Sequence, residues 1–139
     1  MSISTACVKY IESKLMLGVD SRGESVLLSS SVEREPVWRG VKPNELLLIS
    51  AASCSLYDVI EILTKQREEF LNLEVECRGT QLADPPYRFT HIHLTYKVWG
   101  RVHPDKLEKA IRLSQDKYCS VIATLRPAVE ITSDFEIIA

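Results

Sequence analysis

The chain has 139 residues, enough for one domain with a real core, and its 45% hydrophobic and 26% charged residues are ordinary globular usage. Seventeen Lys and Arg against 19 Asp and Glu leave a formal net charge of −2, with no basic run. That argues against a nucleic-acid role, because phosphate binding rests on clustered cations.

The start, Met1-Ser2-Ile3-Ser4-Thr5, lacks the cationic and apolar parts of a signal peptide. No apolar stretch reads as long enough to cross a bilayer. The expected location is therefore the cytoplasm, without membrane contact. Four cysteines there should stay reduced unless redox chemistry is their purpose.

In chain order, residues 5–17 read as a strand and residues 18–24 as a turn bracketed by Gly18 and Gly23. Ser25 to Ser29 pairs back as a hairpin. Residues 30–42 read as a loop broken by Pro36 and Gly40, with room for one short strand. From Pro43 to about Glu69 the pattern is helical: Pro43 suits a first turn and Glu45 the positive end of the helix dipole. Between Leu46 and Leu56 this helix is apolar on nearly every side. A surface helix would show a single stripe, so burial all round is expected, with a second subunit supplying part of it.

Residues 72–81 alternate as a strand, Asp84-Pro85-Pro86-Tyr87 turns, and residues 89–100 form a long strand with Ile92, Leu94, Tyr96 and Val98 on one face. Pro104 opens a helix whose inner stripe is Leu107, Ala110, Ile111 and Ser114. Residues 119–125 read as a short helix stopped by Pro127, and residues 128–138 as a final strand. The order β-β-α-β-β-α-α-β is that of an α+β chain with antiparallel hairpins, one domain over residues 1–139.

The residues with chemistry are thiols. Cys54 lies in the apolar helix, within Ala51-Ala52-Ser53-Cys54-Ser55. Cys119, 65 residues downstream in Lys117-Tyr118-Cys119-Ser120-Val121, opens the short late helix. That separation rules out a local CxxC motif or half of a zinc finger of standard spacing. If the fold joins them, they form a buried pair able to cycle through a disulfide. An inert core cysteine is the competing reading of Cys54.

Cys7 and Cys77 sit in strand patterns and read as packing residues. His91 and His93 share a strand face and could begin a metal site, although no carboxylate or cysteine stands near them at ligand spacing. Outward-facing polar residues are the simpler reading. His103 reads as a cap-region residue, and the Glu68/Glu69 pair as a solvated helix face. Asp58, four residues past Cys54 on nearly the same helix face, would raise the thiol pKa unless a cation intervenes.

Gly40-Val41-Lys42-Pro43-Asn44-Glu45-Leu46-Leu47-Leu48 leading to Ala51-Ala52-Ser53-Cys54, followed by Lys117-Tyr118-Cys119-Ser120-Val121, resembles the OsmC/Ohr family of osmotically inducible and organic hydroperoxide resistance proteins. The likeness covers nearly the whole chain. It is greatest to the OsmC-like branch, whose members often carry a KYCSV-type motif. It implies an OsmC-like fold, with antiparallel sheets wrapped around central helices in an intertwined homodimer.

By the same resemblance, Cys54 is the peroxidatic and Cys119 the resolving cysteine of an organic hydroperoxide reductase. Its disulfide would be reduced by an external dithiol, lipoyl-type carriers being one option. No metal, flavin or haem is required. The apolar neighbours Leu47, Ala51 and Leu56 favour greasy peroxides over hydrogen peroxide.

The characterised family enzymes add an arginine and a glutamate. Arg22, in the first hairpin turn, is the first candidate for the arginine, and Arg39 the substitute. The glutamate directly follows the helix-opening proline, a position that holds Asn44 here; Glu45 comes one residue later. At about 100° per residue, Asn44 stands roughly 80° from Cys54 around the helix and Glu45 roughly 180°. Glu45 is thus turned away from the thiol of its own helix. That displacement supports an alternative, a dimeric small-molecule-binding module whose cysteines are incidental or redox-sensing.

Overall fold

The computed structural model describes residues 1–29 and 40–139, so Arg39 lies outside the described residues. The chain forms two compact units, residues 1–47 and 48–139, and the division falls inside the long helix α1, Pro43–Lys65.

The first unit is built on a three-stranded antiparallel sheet of β1 (Ala6–Glu12), β2 (Leu15–Asp20) and β3 (Ser25–Ser29). The single strand expected over residues 5–17 is in fact two. The chain reverses at Ser13, whose φ of 52° places it in the left-handed region, and β1 folds back on β2 in the register Cys7–Val19 and Lys9–Leu17. Without Gly or Pro, Glu12-Ser13-Lys14 carries little turn signal, and the apolar residues on either side hide it.

The β2–β3 turn is of the expected kind. The Asp20 carboxylate accepts the N–H groups of Arg22 at 2.8 Å and Glu24 at 2.9 Å, and these bonds hold its pKa below the usual carboxylate range. Gly23 supplies a positive φ of 89°. Val41 joins the edge of β3 through a parallel bridge to Leu28, the short extended piece expected in that loop. The Leu46 N–H donates to the Lys42 carbonyl at 2.8 Å, so α1 starts with a regular turn.

The second unit carries the core. Ala51, Ser55, Val59 and Leu63, spaced four apart along α1, are fully buried. They cluster with Ile92, Leu94, Tyr96 and Val98 of β5 (Phe89–Arg101), which alternate inward as the period of two requires. The other wall is α2 (Pro104–Leu113), whose Leu107, Ala110 and Ile111 are buried as the stripe foretold. Truncating Leu63 or Ile92 to Ala should cost about 2–5 kcal/mol, the range for buried aliphatic side chains.

α1 ends at Lys65, four residues before the expected end near Glu69, and Arg67, with φ 57°, turns the chain into β4 (Glu69–Gln81), which starts three residues before the alternation at Asn72. Glu68 therefore does not belong to a solvated helix face. Its side chain is only 5% exposed and receives the His103 ring nitrogen at 2.9 Å and the His103 N–H at 3.1 Å. Burial opposes ionisation of Glu68, but the hydrogen bonds from His103 prevail and lower its pKa.

β4 and β5 form the expected hairpin, its turn holding a cis Pro85–Pro86 bond and Tyr87 at φ 58°. The last strand, β6 (Glu130–Ile138), pairs with β5 in parallel, so this sheet is mixed and not purely antiparallel. The reason lies in the connection. Residues between β5 and β6 form α2, a π-helical turn at Ser114–Tyr118 and α3 (Ser120–Leu125), and a helical crossover of this length returns the chain in the same direction.

The parallel pairing also brings β6 side chains to the two histidines. His91 and His93 each meet the Thr132 hydroxyl at 2.6 Å, and His93 reaches the Asp134 carboxylate at 3.1 Å. A carboxylate does stand beside them, contrary to the sequence spacing. Among the described residues no group of three or more His, Cys, Asp or Glu is placed to hold a metal ion.

α1 also corrects the expectation about membrane-length segments. At 23 residues, about 34 Å long, it is long and apolar enough to cross a bilayer by length and composition. Interspersed Ala and Ser disguise the run in the sequence. Its inner stripe is packed in the protein core, as that of a core helix is.

Gly100 is a tight point of this unit, where backbone atoms crowd the missing side chain. Its φ is +130°, and a Cβ there would stand 2.6 Å from the Glu69 carbonyl oxygen and 2.9 Å from the Phe70 Cα. Gly23 has a positive φ of 89° but open space around it. Gly23→Ala should cost about 1–2 kcal/mol, the left-handed penalty of a Cβ. Gly100→Ala should cost more, because backbone atoms must also move. Urea unfolding of both variants checks this ranking.

Candidate thiol redox site

Cys54 lies one residue before the buried Ser55, at the edge of the α1 stripe, and is half-buried. Cys119 is 2% exposed, and both thiols are free. The two thiols are near enough that each bears on the other's ionisation, and the Ser120 hydroxyl, next in the chain to Cys119, lies 4.0 Å from the Cys54 sulfur. The fold therefore joins the two cysteines that the motifs singled out.

Cys119 precedes the helix instead of opening it from inside. It is the extended N-cap residue of α3, with φ −76° and ψ 107°, and its sulfur accepts the Ile122 N–H at 3.4 Å. The same helix start serves Cys54. The Ser120 hydroxyl lies 4.0 Å from the Cys54 sulfur, and the N–H groups of Val121 and Ser120 favour its ionised form.

These donors make the two thiols unequal. Burial alone would raise the Cys54 pKa. The Val121 N–H, the Cys119 thiol, and the Ser120 hydroxyl and N–H outweigh it, and the net shift is downward. At Cys119 burial dominates. The Ile122 N–H offsets it in part, the neighbouring Cys54 adds to it, and the Cys119 pKa rises to about 11. Cys54 therefore ionises more readily than an ordinary thiol and Cys119 less readily, an order that suits a nucleophile beside a second, protonated thiol.

A polar chain runs behind the thiols. The Ser114 hydroxyl, fully buried, is 2.8 Å from Asp58 Oδ2, 2.9 Å from the Ser55 hydroxyl and 3.2 Å from the Ser55 carbonyl. Ser55 meets the buried Tyr96 hydroxyl at 2.5 Å, and Gln115 Nε2 donates to Tyr96 at 3.1 Å. A carboxylate can only accept, and its charged bond has first claim on the single Ser114 hydrogen. Ser114 is also the donor in its contacts with the two Ser55 oxygens, so these share its one hydrogen with Asp58; Ser55 and Tyr96 bond in either sense, and Gln115 donates to Tyr96. Burial raises the Tyr96 pKa against the pull of Ser55 and Gln115, keeping its donor proton in place. Asp58, expected to oppose ionisation of Cys54, is turned to this chain.

Of the remaining candidates, Arg22, Asn44, Glu45 and Cys7 belong to the first unit and Cys77 to the second. Arg22 is exposed in the β2–β3 turn, and its main-chain N–H is held by Asp20. Asn44 and Glu45 occupy the exposed first turn of α1. Cys7 is exposed on β1, so it is not a packing residue within the chain. Cys77 is half-buried against the core with its pKa raised by burial to about 11, as its packing role requires.

Ser120, Val121, Ser55 and Ser114 were missed as site residues. The available signals were a serine beside each motif cysteine and a serine in the otherwise apolar stripe of α2.

The family profile described as OsmC-like protein matches residues 36–134. Protein YhfA of Escherichia coli (strain K12) is 36% identical over 136 residues, which cover 96% of this chain and 98% of YhfA. The crystal structure of a hypothetical protein from Aquifex aeolicus VF5 is 28% identical and superposes with a TM-score of 0.84, covering 100% of both chains. The organic hydroperoxide resistance protein OhrB of Bacillus subtilis, at 14% identity, shares the fold with a TM-score of 0.68 over 95% of this chain and 98% of its own. The profile spans both units and includes Cys54 and Cys119: the chain belongs to the OsmC-like protein family.

Proposed function

We propose that this protein is a thiol-dependent peroxidase that reduces organic hydroperoxides. One observation carries the reading: two free, mutually interacting thiols at the start of α3, one with its pKa lowered and the other raised to about 11.

The Cys54 thiolate attacks the terminal peroxide oxygen. The O–O bond breaks, the alkoxide takes a proton and leaves as an alcohol, and Cys54 becomes a sulfenic acid. Cys119 sulfur then attacks the Cys54 sulfur. The S–O bond breaks, the oxygen leaves as water with the Cys119 proton, and a disulfide remains. An external dithiol returns both thiols and is itself oxidised to a disulfide.

On this reading Arg22, with Arg39 as substitute, supplies the positive charge that further favours the Cys54 thiolate. Glu45, displaced by one position from the family carboxylate, acts at the N-terminal dipole of α1. The working form is a cytoplasmic homodimer folded as a single domain per chain. The dimer is supported by the apolar residues that α1 leaves outward: Ile49 is 50%, Tyr57 65% and Ile60 41% exposed. The alternative, a dimeric binding module with redox-sensing cysteines, is favoured by Asn44 at the carboxylate position.

Cys54→Ser should abolish cumene hydroperoxide consumption in the presence of a dithiol. Cys119→Ser should permit one oxidation and leave Cys54 as sulfenic or sulfinic acid, which mass spectrometry after trapping would show. Wild-type protein that consumes no peroxide with any dithiol would hand the function to the binding-module reading.

Cys54 alkylation by iodoacetamide should be half-maximal at a pH below the ordinary thiol range. Loss of a donor or cation must move that pH upward, because each favours the thiolate. Ser120→Ala and Arg22→Ala should both do so, and rates measured from pH 5 to 10 give the shift.

Sedimentation at micromolar concentration should show a dimer, and Ile49→Glu with Tyr57→Glu should dissociate it. A stable wild-type monomer would remove the dimer from the proposal.

A further inference from the structure

We propose that Ser114 is the positioning residue that holds the Cys119 thiol against Cys54, an inference that deepens the thiol-pair reading above. Ser114 acts on both cysteines through others. Its carbonyl oxygen accepts the Cys119 N–H at 2.7 Å, the bond from residue 119 back to residue 114 that closes the π-helical turn. Its hydroxyl is fastened to α1, at 2.8 Å from Asp58 and 2.9 Å from Ser55, the residues four after and one after Cys54. One fully buried residue thus ties the main chain of Cys119 to the helix that carries Cys54.

The π turn makes this possible. In a regular α-helix the bond to the Ser114 carbonyl would come from Tyr118. The wider turn adds one residue, so that Ser114 and Cys119 both face inward while Asp116, Lys117 and Tyr118 stay exposed. It also starts α3 beside Cys54, with the Ser120 hydroxyl 4.0 Å from the Cys54 sulfur. A loss of the Ser114 hydroxyl would leave Asp58 and Ser55 short of a partner and free the turn to relax toward α geometry. Cys119 and the donors of α3 would then move away together.

The test is the equilibrium of the full-length protein with glutathione, in which the two protein thiols and glutathione disulfide give the Cys54–Cys119 disulfide and two reduced glutathiones. This reads thiol proximity without peroxide. Ser114→Ala should lower the effective molarity of the pair at least tenfold, about 30 mV for a two-electron couple. It should also raise the pH of half-maximal Cys54 alkylation. A role in packing alone would lower the melting temperature and leave both readouts in place, which would overturn the proposal.

If Ser114→Ala does not fold, Asp58→Ala removes the same bond from a half-buried position. It should shift both readouts in the same direction, and Asp58→Asn, whose amide oxygen still accepts from Ser114, should recover most of the loss. Equal values for Asp58→Ala and wild type would overturn the proposal. Peroxide consumption without any effect of these variants leaves the peroxidase reading standing and removes the positioning role. An effect on the glutathione equilibrium in a protein that consumes no peroxide does the reverse. A wild-type pair that never forms the disulfide removes both.

Discussion

The seating of α1 on the inner face of β5 is the constraint from which the site follows. Ala51, Ser55, Val59 and Leu63 form one narrow stripe, and three of the four are apolar. The exception, Ser55, stands opposite the buried Tyr96 and bonds to its hydroxyl. A polar pair in the middle of an apolar contact fixes the register of helix on sheet, because sliding by a turn would leave two buried hydroxyls unpaired. With the register fixed, Cys54 is fixed too. It falls beside the stripe, deep enough to be shielded and shallow enough to meet what approaches from α3.

Burial is common to both thiols and disfavours the charged form of each. What breaks the symmetry is the direction of hydrogen bonds. Cys54 sits beside the start of α3, whose first N–H groups have no carbonyl partner within the helix, and these together with the Cys119 thiol favour its ionised form. Cys119, as the residue before the helix, has the Ile122 N–H as its leading compensation. The family pattern assigns a cation to the task of lowering the thiol pKa. Here main-chain donors and a neighbouring thiol already act in that direction, which lessens the weight resting on the carboxylate that Asn44 replaces.

Much of this fold was legible because local pattern and tertiary need coincide. The alternation of Ile92, Leu94, Tyr96 and Val98 is the inner face of β5, and the α2 stripe, Ser114 included, is its buried side. Both cysteine motifs were recognisable by composition and order. The turn at Ser13 was not, since it uses a positive φ without the residue that usually supplies it. Nor was the direction of β6, because a strand pattern carries no sign for parallel or antiparallel pairing. The histidine neighbourhood was misjudged for the same reason, as Asp134 reaches His93 only across that pairing. Asp58 and Ser114 were each read within their own helix. Their meeting depends on a π turn, which no periodicity announces.

The proposed chemistry gives a reason for the high pKa of Cys119. A resolving thiol that ionised early would set a second negative charge beside the Cys54 thiolate and discourage its formation. Held as a thiol, Cys119 instead favours the ionised form of Cys54. After the first oxidation the acceptor is a sulfenic acid, whose oxygen must leave, and a poor leaving group such as hydroxide needs a proton. Cys119 has retained a proton that it can give up in this step. Its sulfur becomes nucleophilic as that proton departs, so proton delivery and S–S bond formation are served by the same group. A thiol with its pKa near 11 is therefore suited to the second step for the reason that it is unsuited to the first.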